Sequence, residues 1–281
     1  MKIHSFSTIV ASPFIIIAGI ILYFLFFEDQ DSLYPYLIPL AAILAGIYAF
    51  HPKIDFWWHQ KHAPELPSRI KKLVYSASPF YQDLDEEGRR RFLDRLAVFM
   101  HHKAYYIMLK EKEAMPEDMK ALIALCAITV TYNDEEYFFP KYDYYIAYQH
   151  PFPTPNKKAL HSIELNHEDG LMLFNSEHLY QSMIVKSGAF NLGMYAFAEA
   201  YLITNPLSDL AQANDPDPAL LPEKGPYSLE SIILQIGYKE IYFKAVLIAL
   251  YFENKGLLET AYPAFTQLCT KTFNNPGKSL S

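Results

Sequence analysis

From Thr8 to Phe27 the chain reads TIVASPFIIIAGIILYFLFF, twenty residues without a charge. At about 1.5 Å of rise per residue this makes about 30 Å of helix, the thickness of a bilayer's hydrocarbon core. A short polar stretch, EDQDS from Glu28 to Ser32, leads to a second uncharged run, LYPYLIPLAAILAGIYAF, from Leu33 to Phe50. Two such runs so close together predict a transmembrane hairpin. Pro35 and Pro39 shorten or kink the start of the second span, which bundled helices tolerate. Tyr34, Tyr36 and Tyr48, with Trp57 and Trp58 just beyond, suit the aromatic belt of a membrane surface. The competing reading is a cleaved signal peptide. Its apolar region spans about 7–15 residues and ends at a small-x-small site, and neither feature fits here.

The flanking charges set an orientation. Lys2 precedes the first span, Lys53, Lys61, Arg69, Lys71 and Lys72 follow the second, and the connecting loop has no Lys or Arg. The positive-inside rule then places both ends of the hairpin, and everything after it, on the cytosolic face of the inner (cytoplasmic) membrane. The expected organisation is a hairpin over residues 1–50, a juxtamembrane linker over 51–68 and a water-soluble domain over 69–281.

The remainder is long enough to bury a sizeable core. The formal net charge of −7 argues against nucleic acid as a partner, since such proteins present a basic face. Cys126 and Cys269 lie far apart among apolar neighbours, with no Cys-x-x-Cys pair, and read as buried free thiols of a reducing compartment.

Apolar spacing predicts a helix from about Asp85 to Leu109 and another opened by Pro116 with acidic residues in its first turn. The Tyr-rich run from Tyr137 to Tyr148 reads as strand, as do Ala159 to Leu165 and Gly170 to Phe174. Helix returns over Ala189 to Ile203, and again over Leu229 to Asn254 and Leu257 to Phe273, after a proline-rich loop from Pro206 to Pro222. The fold class expected is α+β, helix-dominated, with a small sheet in the middle.

Motifs that carry chemistry are scarce. The ten histidines include no His-x-x-x-His pair of the kind that grips zinc from one helix face. His59 and His62 read as interfacial, His101 and His102 diverge on a helix, and His167-Glu168-Asp169 is explained by turn chemistry before Gly170. There is no phosphate-binding glycine loop and no Gly-x-Ser-x-Gly elbow.

Several pieces nonetheless occur in a telling order. They are Leu66-Pro-Ser, the helix ending Phe99-Met-His-His-Lys, Pro116 to Leu125, Tyr148-Gln-His-Pro-Phe152, Ala245-Val-Leu, Tyr251-Phe252 and Tyr262-Pro263-Ala264. Over residues 64–277 this set resembles the Mlc titration factor A family of zinc metallopeptidases. The resemblance implies a zincin-like domain whose catalytic His-Glu-Phe-Ala-His helix corresponds to Tyr195-Ala196-Phe197-Ala198-Glu199. By that matching Tyr195 and Glu199 stand where two zinc ligands would be, Ala196 where the general base would be, and Ala249 at the third ligand. A zinc peptidase needs three ligands, an open position for water and a carboxylate to take the water's proton. Ala196 accepts no proton, so the resemblance implies a retained scaffold without hydrolysis and without a cofactor. Tyr195, Glu199 and Tyr148 would line the former cleft and contact a protein or peptide, with the Tyr137–Tyr148 strand receiving an extended chain. The alternative is an active zinc peptidase with rearranged ligands drawn from His161, His167 or His178.

Overall fold

The computed structural model describes residues 5–28, 30–108, 114–186 and 188–273. The chain divides into two compact units, Met1–Glu65 and Leu66–Ser281.

The first unit is a pair of packed helices, α1 (Phe6–Phe27) and α2 (Tyr34–Lys61), joined by a 3-10 turn, Asp31–Leu33. Both are long and apolar enough to cross a membrane. The linker expected over 51–68 is a correction: α2 continues through Pro52 to Lys61, and only residues 62–67 are irregular. Proline removes a helical donor and orphans the carbonyl four residues earlier. His51 supplies the missing donor, its Nδ1–H reaching the Tyr48 carbonyl at 2.6 Å. The same device recurs in α1, where the Ser12 hydroxyl donates to Ile9 O at 2.8 Å, the carbonyl that Pro13 leaves free. The start of α1 is pinned to the end of α2. Ser5 Oγ and the Ser7 backbone N–H donate to the Asp55 carboxylate at 2.6 and 2.7 Å, and Phe6 stacks on Trp58 with centroids 3.9 Å apart.

The second unit is α+β. In chain order it comprises α3 (Ser68–Ala77), α4 (Pro79–Asp83), α5 (Glu86–His102), β1 (Ala104–Ile107), α6 (Glu117–Val130), β2 (Tyr144–Tyr148), β3 (Ile163–Asn166) and β4 (Leu171–Asn175). There follow α7 (Ser176–Tyr180), α8 (Leu192–Thr204), α9 (Asp209–Gln212), α10 (Leu229–Ile236), α11 (Phe243–Glu253), α12 (Lys255–Ala261) and α13 (Pro263–Phe273). α6, α8 and α11 are apolar on nearly all faces and therefore buried: every residue from Ala121 to Val130 and from Lys244 to Tyr251 is buried. α8 packs on both α6 and α11, and on the sheet. Gly193 permits the first contact, since a Cβ there would lie 2.6 Å from Leu179 and 2.9 Å from the Cys126 sulfur.

The sheet is mixed, in the order β1-β2-β4-β3, parallel except for the β3–β4 hairpin. Tyr145 of β2 sits fully buried within 6.5 Å of the Phe99, Phe174 and Phe197 rings, joining sheet to α5 and α8.

Four expectations are corrected. The helix begun at Asp85 ends at His102, and Ala104–Ile107 is a strand pairing with β2; Leu109 lies outside the described residues. Only Tyr144–Tyr148 of the Tyr-rich run is strand. Before it, the buried Lys103 ammonium takes the carbonyls of Phe139 and Tyr142 at 3.2 and 2.7 Å and the Asp143 carboxylate at 2.7 Å, fixing a loop in which Phe139 has φ of +47°. The single helix expected over Leu229–Asn254 is two, parted at Gly237, whose φ is +97° and whose hypothetical Cβ would lie 2.5 Å from His161 Cα. The last expected helix is also two, α12 and α13, divided at Tyr262-Pro263.

Candidate functional site

α8 positions the matched residues. Asn191 caps it, its side chain accepting from Met194 N at 2.9 Å, and the helix then runs through the core. Tyr195 is fully buried and its hydroxyl oxygen accepts a hydrogen bond from the Tyr242 backbone N–H at 3.1 Å, at the N-cap of α11. One turn later Glu199 is on the same face, beside the Tyr195 hydroxyl. Ala196 and Ala249 are buried methyl groups in the packing of α8 and α11.

Glu199 is the chemically unusual member. Its Oε2 is sealed from solvent without a hydrogen-bond partner. Burial raises its carboxyl above the ordinary glutamate range, against the opposing pull of the Tyr195 hydroxyl and Lys157. The same burial, with Glu199 nearby, pushes the phenols of Tyr195 and Tyr238 far up, so neither is a phenolate near neutral pH.

The segment between β2 and β3 closes this corner. The Lys157 ammonium sits 3.2 Å from the centroid of the Tyr238 ring. His161 is buried between Ala159 O at 2.8 Å and Glu164 Oε2 at 2.9 Å, and Glu164 also receives the Thr154 hydroxyl at 2.6 Å. Burial lowers the Lys157 ammonium, while Glu164, Glu199 and Glu240 hold it up.

Tyr148 joins the cluster through rings. It stacks on Phe152 at 4.2 Å, Phe152 meets His161 edge-on at 4.7 Å, and His161 meets Tyr238 at 6.0 Å, next to Tyr195. The structure thus brings Tyr148, Tyr195 and Glu199 into one polar and aromatic cluster. Lys157, Glu164 and Tyr238 were not legible as members, because a turn and a crossover connection deliver them. The strand-addition expectation is corrected: β2 is hydrogen-bonded on both sides, to β1 and β4, and has no free edge.

The three histidines of the zinc alternative are each engaged separately. His167 Nδ1 pairs with the Tyr142 hydroxyl, His178 Nε2 donates to Phe190 O at 2.9 Å, and His161 is held as described. Among the described residues these three do not converge with other ligand-type side chains into a three-ligand cluster. Comparison with the profiles of known families, with curated proteins and with solved structures finds no match to this chain.

Proposed function

We propose that the chain is a membrane-anchored, zincin-like domain of metallopeptidase type that has lost hydrolysis and acts by binding a protein or peptide, in a regulatory role. The single observation that carries this reading is the filled position at Tyr195. A buried phenol bonded to the Tyr242 N–H stands at the place the resemblance gives to a metal ligand, with a methyl group, Ala196, at the place of the base. Neither side chain can activate a water molecule. The apolar pair α1 and α2 supports anchoring in the inner membrane, and the Lys and Arg that follow the second span support a cytosolic second unit. Tyr148 and Glu199, both partly exposed, are the positions through which a partner would reach the cluster.

The test is metal content and peptide cleavage of the full chain, purified in detergent without chelators. Substoichiometric zinc and no cleavage of unfolded casein support the reading. One zinc per chain, lost with His161→Ala or Glu199→Gln and accompanied by cleavage, overturns it in favour of an active peptidase with rearranged ligands.

A further inference from the structure

A second buried acid lies outside this cluster. Glu253 ends α11 and lines a partly open cavity of about 260 Å³ between α4, α6, α8 and the residues Ser182, Met183, Gly188 and Ala189. Its carboxyl group lies beside the backbone of Asn191, at the N-cap of α8. Its Oε2 has no solvent contact and no hydrogen-bond partner. An unpartnered carboxylate oxygen in a cavity costs free energy that a bound donor would recover.

The walls specify the donor. Phe80, Phe252 and Tyr227 supply aromatic surface, and Leu125, Met183 and Met194 supply apolar surface. Phe80 and Phe252 meet edge to face at 5.7 Å, giving a ring-walled slot. Thr129 and Ser182 also line the space, but their hydroxyl protons are spent on Leu125 O at 2.8 Å and Leu179 O at 3.1 Å. What they have left to offer is lone pairs. Aromatic rings, a carboxylate and acceptor oxygens together favour a compact cation. Lys186, exposed, also borders the cavity and would repel a second positive charge. A cavity of about 150 Å³ holds benzene, so this one accommodates a ring with a short side chain.

We propose that this cavity is a binding site for a small primary monoamine with an apolar body, its ammonium seated on Glu253. Burial has pushed the Glu253 carboxyl up to about 8, so seating the ammonium also discharges a proton at neutral pH. A free amine and an apolar amino acid share this chemistry, and the latter would add a carboxylate for Lys186.

The experiment titrates the full chain in detergent at pH 8.5 by calorimetry, with detergent alone as blank. Phenethylamine, phenylalanine and uncharged phenethyl alcohol are the probes. Saturable binding of either amine at one site per chain is expected, at least ten-fold tighter than the alcohol and at least ten-fold weakened by Glu253→Gln. Preference for phenylalanine over phenethylamine, abolished by Lys186→Ala, would assign the amino acid as the source; the reverse order assigns the free amine. Ala189→Leu, which narrows the cavity and leaves Glu253 in place, should also remove binding if Glu253→Gln fails to fold. No binding by either amine at millimolar concentration, or equal binding of phenethylamine and the alcohol, overturns the proposal. Because zinc is absent from this titration, its outcome is independent of the peptidase question.

Discussion

The Tyr195 hydroxyl oxygen accepts the backbone N–H of Tyr242 at 3.1 Å, so a side chain from the middle of α8 serves the first turn of α11. Helix N-termini leave backbone donors without intrahelical partners, and Tyr242 itself offers no side-chain cap. Tyr195→Phe removes the acceptor and keeps the ring. The expected loss is about 1 kcal/mol, read as a lower melting temperature of the full chain in detergent. An unchanged melting temperature would mean that the bond contributes nothing and that the phenol merely fills space.

Two buried acids give the protein a pH response. Burial raises both Glu199 and Glu253, the latter to about 8, so each holds its proton more tightly folded than unfolded. From the ordinary glutamate range up to about pH 8 these two groups bind more protons in the folded state than in the unfolded chain, so their contribution to stability falls as pH rises. His167 and His178, whose imidazoles burial lowers, contribute the opposite slope in the acid part of that range. Glu253→Gln, neutral throughout, should therefore stabilise the protein relative to the unsubstituted chain, little at pH 5 and by on the order of 2 kcal/mol at pH 8. A difference in melting temperature between the two that does not grow from pH 5 to pH 8 would contradict the assignment.

Lys103 is a buried ammonium with three oxygen partners, and burial lowers its proton affinity while Asp143 sustains it. Replacing it by methionine keeps the stem's packing and strands the carbonyls of Phe139 and Tyr142. A destabilisation of about 2–3 kcal/mol is expected. Hydrogen exchange should rise in residues 137–143 before it rises in α6. Uniform exchange across both would deny the loop its special dependence on Lys103.

At Gly237 two demands coincide, a left-handed backbone and contact with the chain at Leu160 and His161. Gly237→Ala violates both and should cost more than about 2 kcal/mol. The companion Gly225→Ala has a comparable φ of +105° but open space around it. It should cost less, and the difference between the two isolates the clash. Equal losses would show that backbone conformation alone matters.

Much of the architecture was legible where one physical signal dominated. The uncharged run up to Phe27, the all-apolar α6 behind Pro116 and the hairpin strands around Gly170 follow from length, capping and turn chemistry. Legibility failed where signals competed. Gly237 is a helix stop, but the apolar residues on either side continue the helical spacing and mask it. Ala104-Tyr-Tyr-Ile107 is a strand because β2 lies alongside to pair with it, information that the four residues do not carry. The candidate site divides in the same way. Tyr195 and Glu199 share a helix face by spacing alone, whereas Tyr238, Lys157 and Glu164 arrive through Gly237 and a crossover. Nothing in the sequence singles out Glu253. Its burial depends on α4 and on residues such as Met183 and Ala189, whose placement sequence periodicity does not reveal.

The proline-bearing helices α1 and α2 each contain a pair of neighbours whose roles are coupled. Ser12 matters because Pro13 follows it, and His51 because Pro52 does, since each side chain repairs the carbonyl its neighbour orphans. Within each dipeptide the two residues are conditional on one another. Replace Pro13 by alanine and the Ser12 hydroxyl becomes redundant; remove the hydroxyl alone and the Ile9 carbonyl loses its donor. Each dipeptide is thus one constrained unit of the folded chain, not two independent positions.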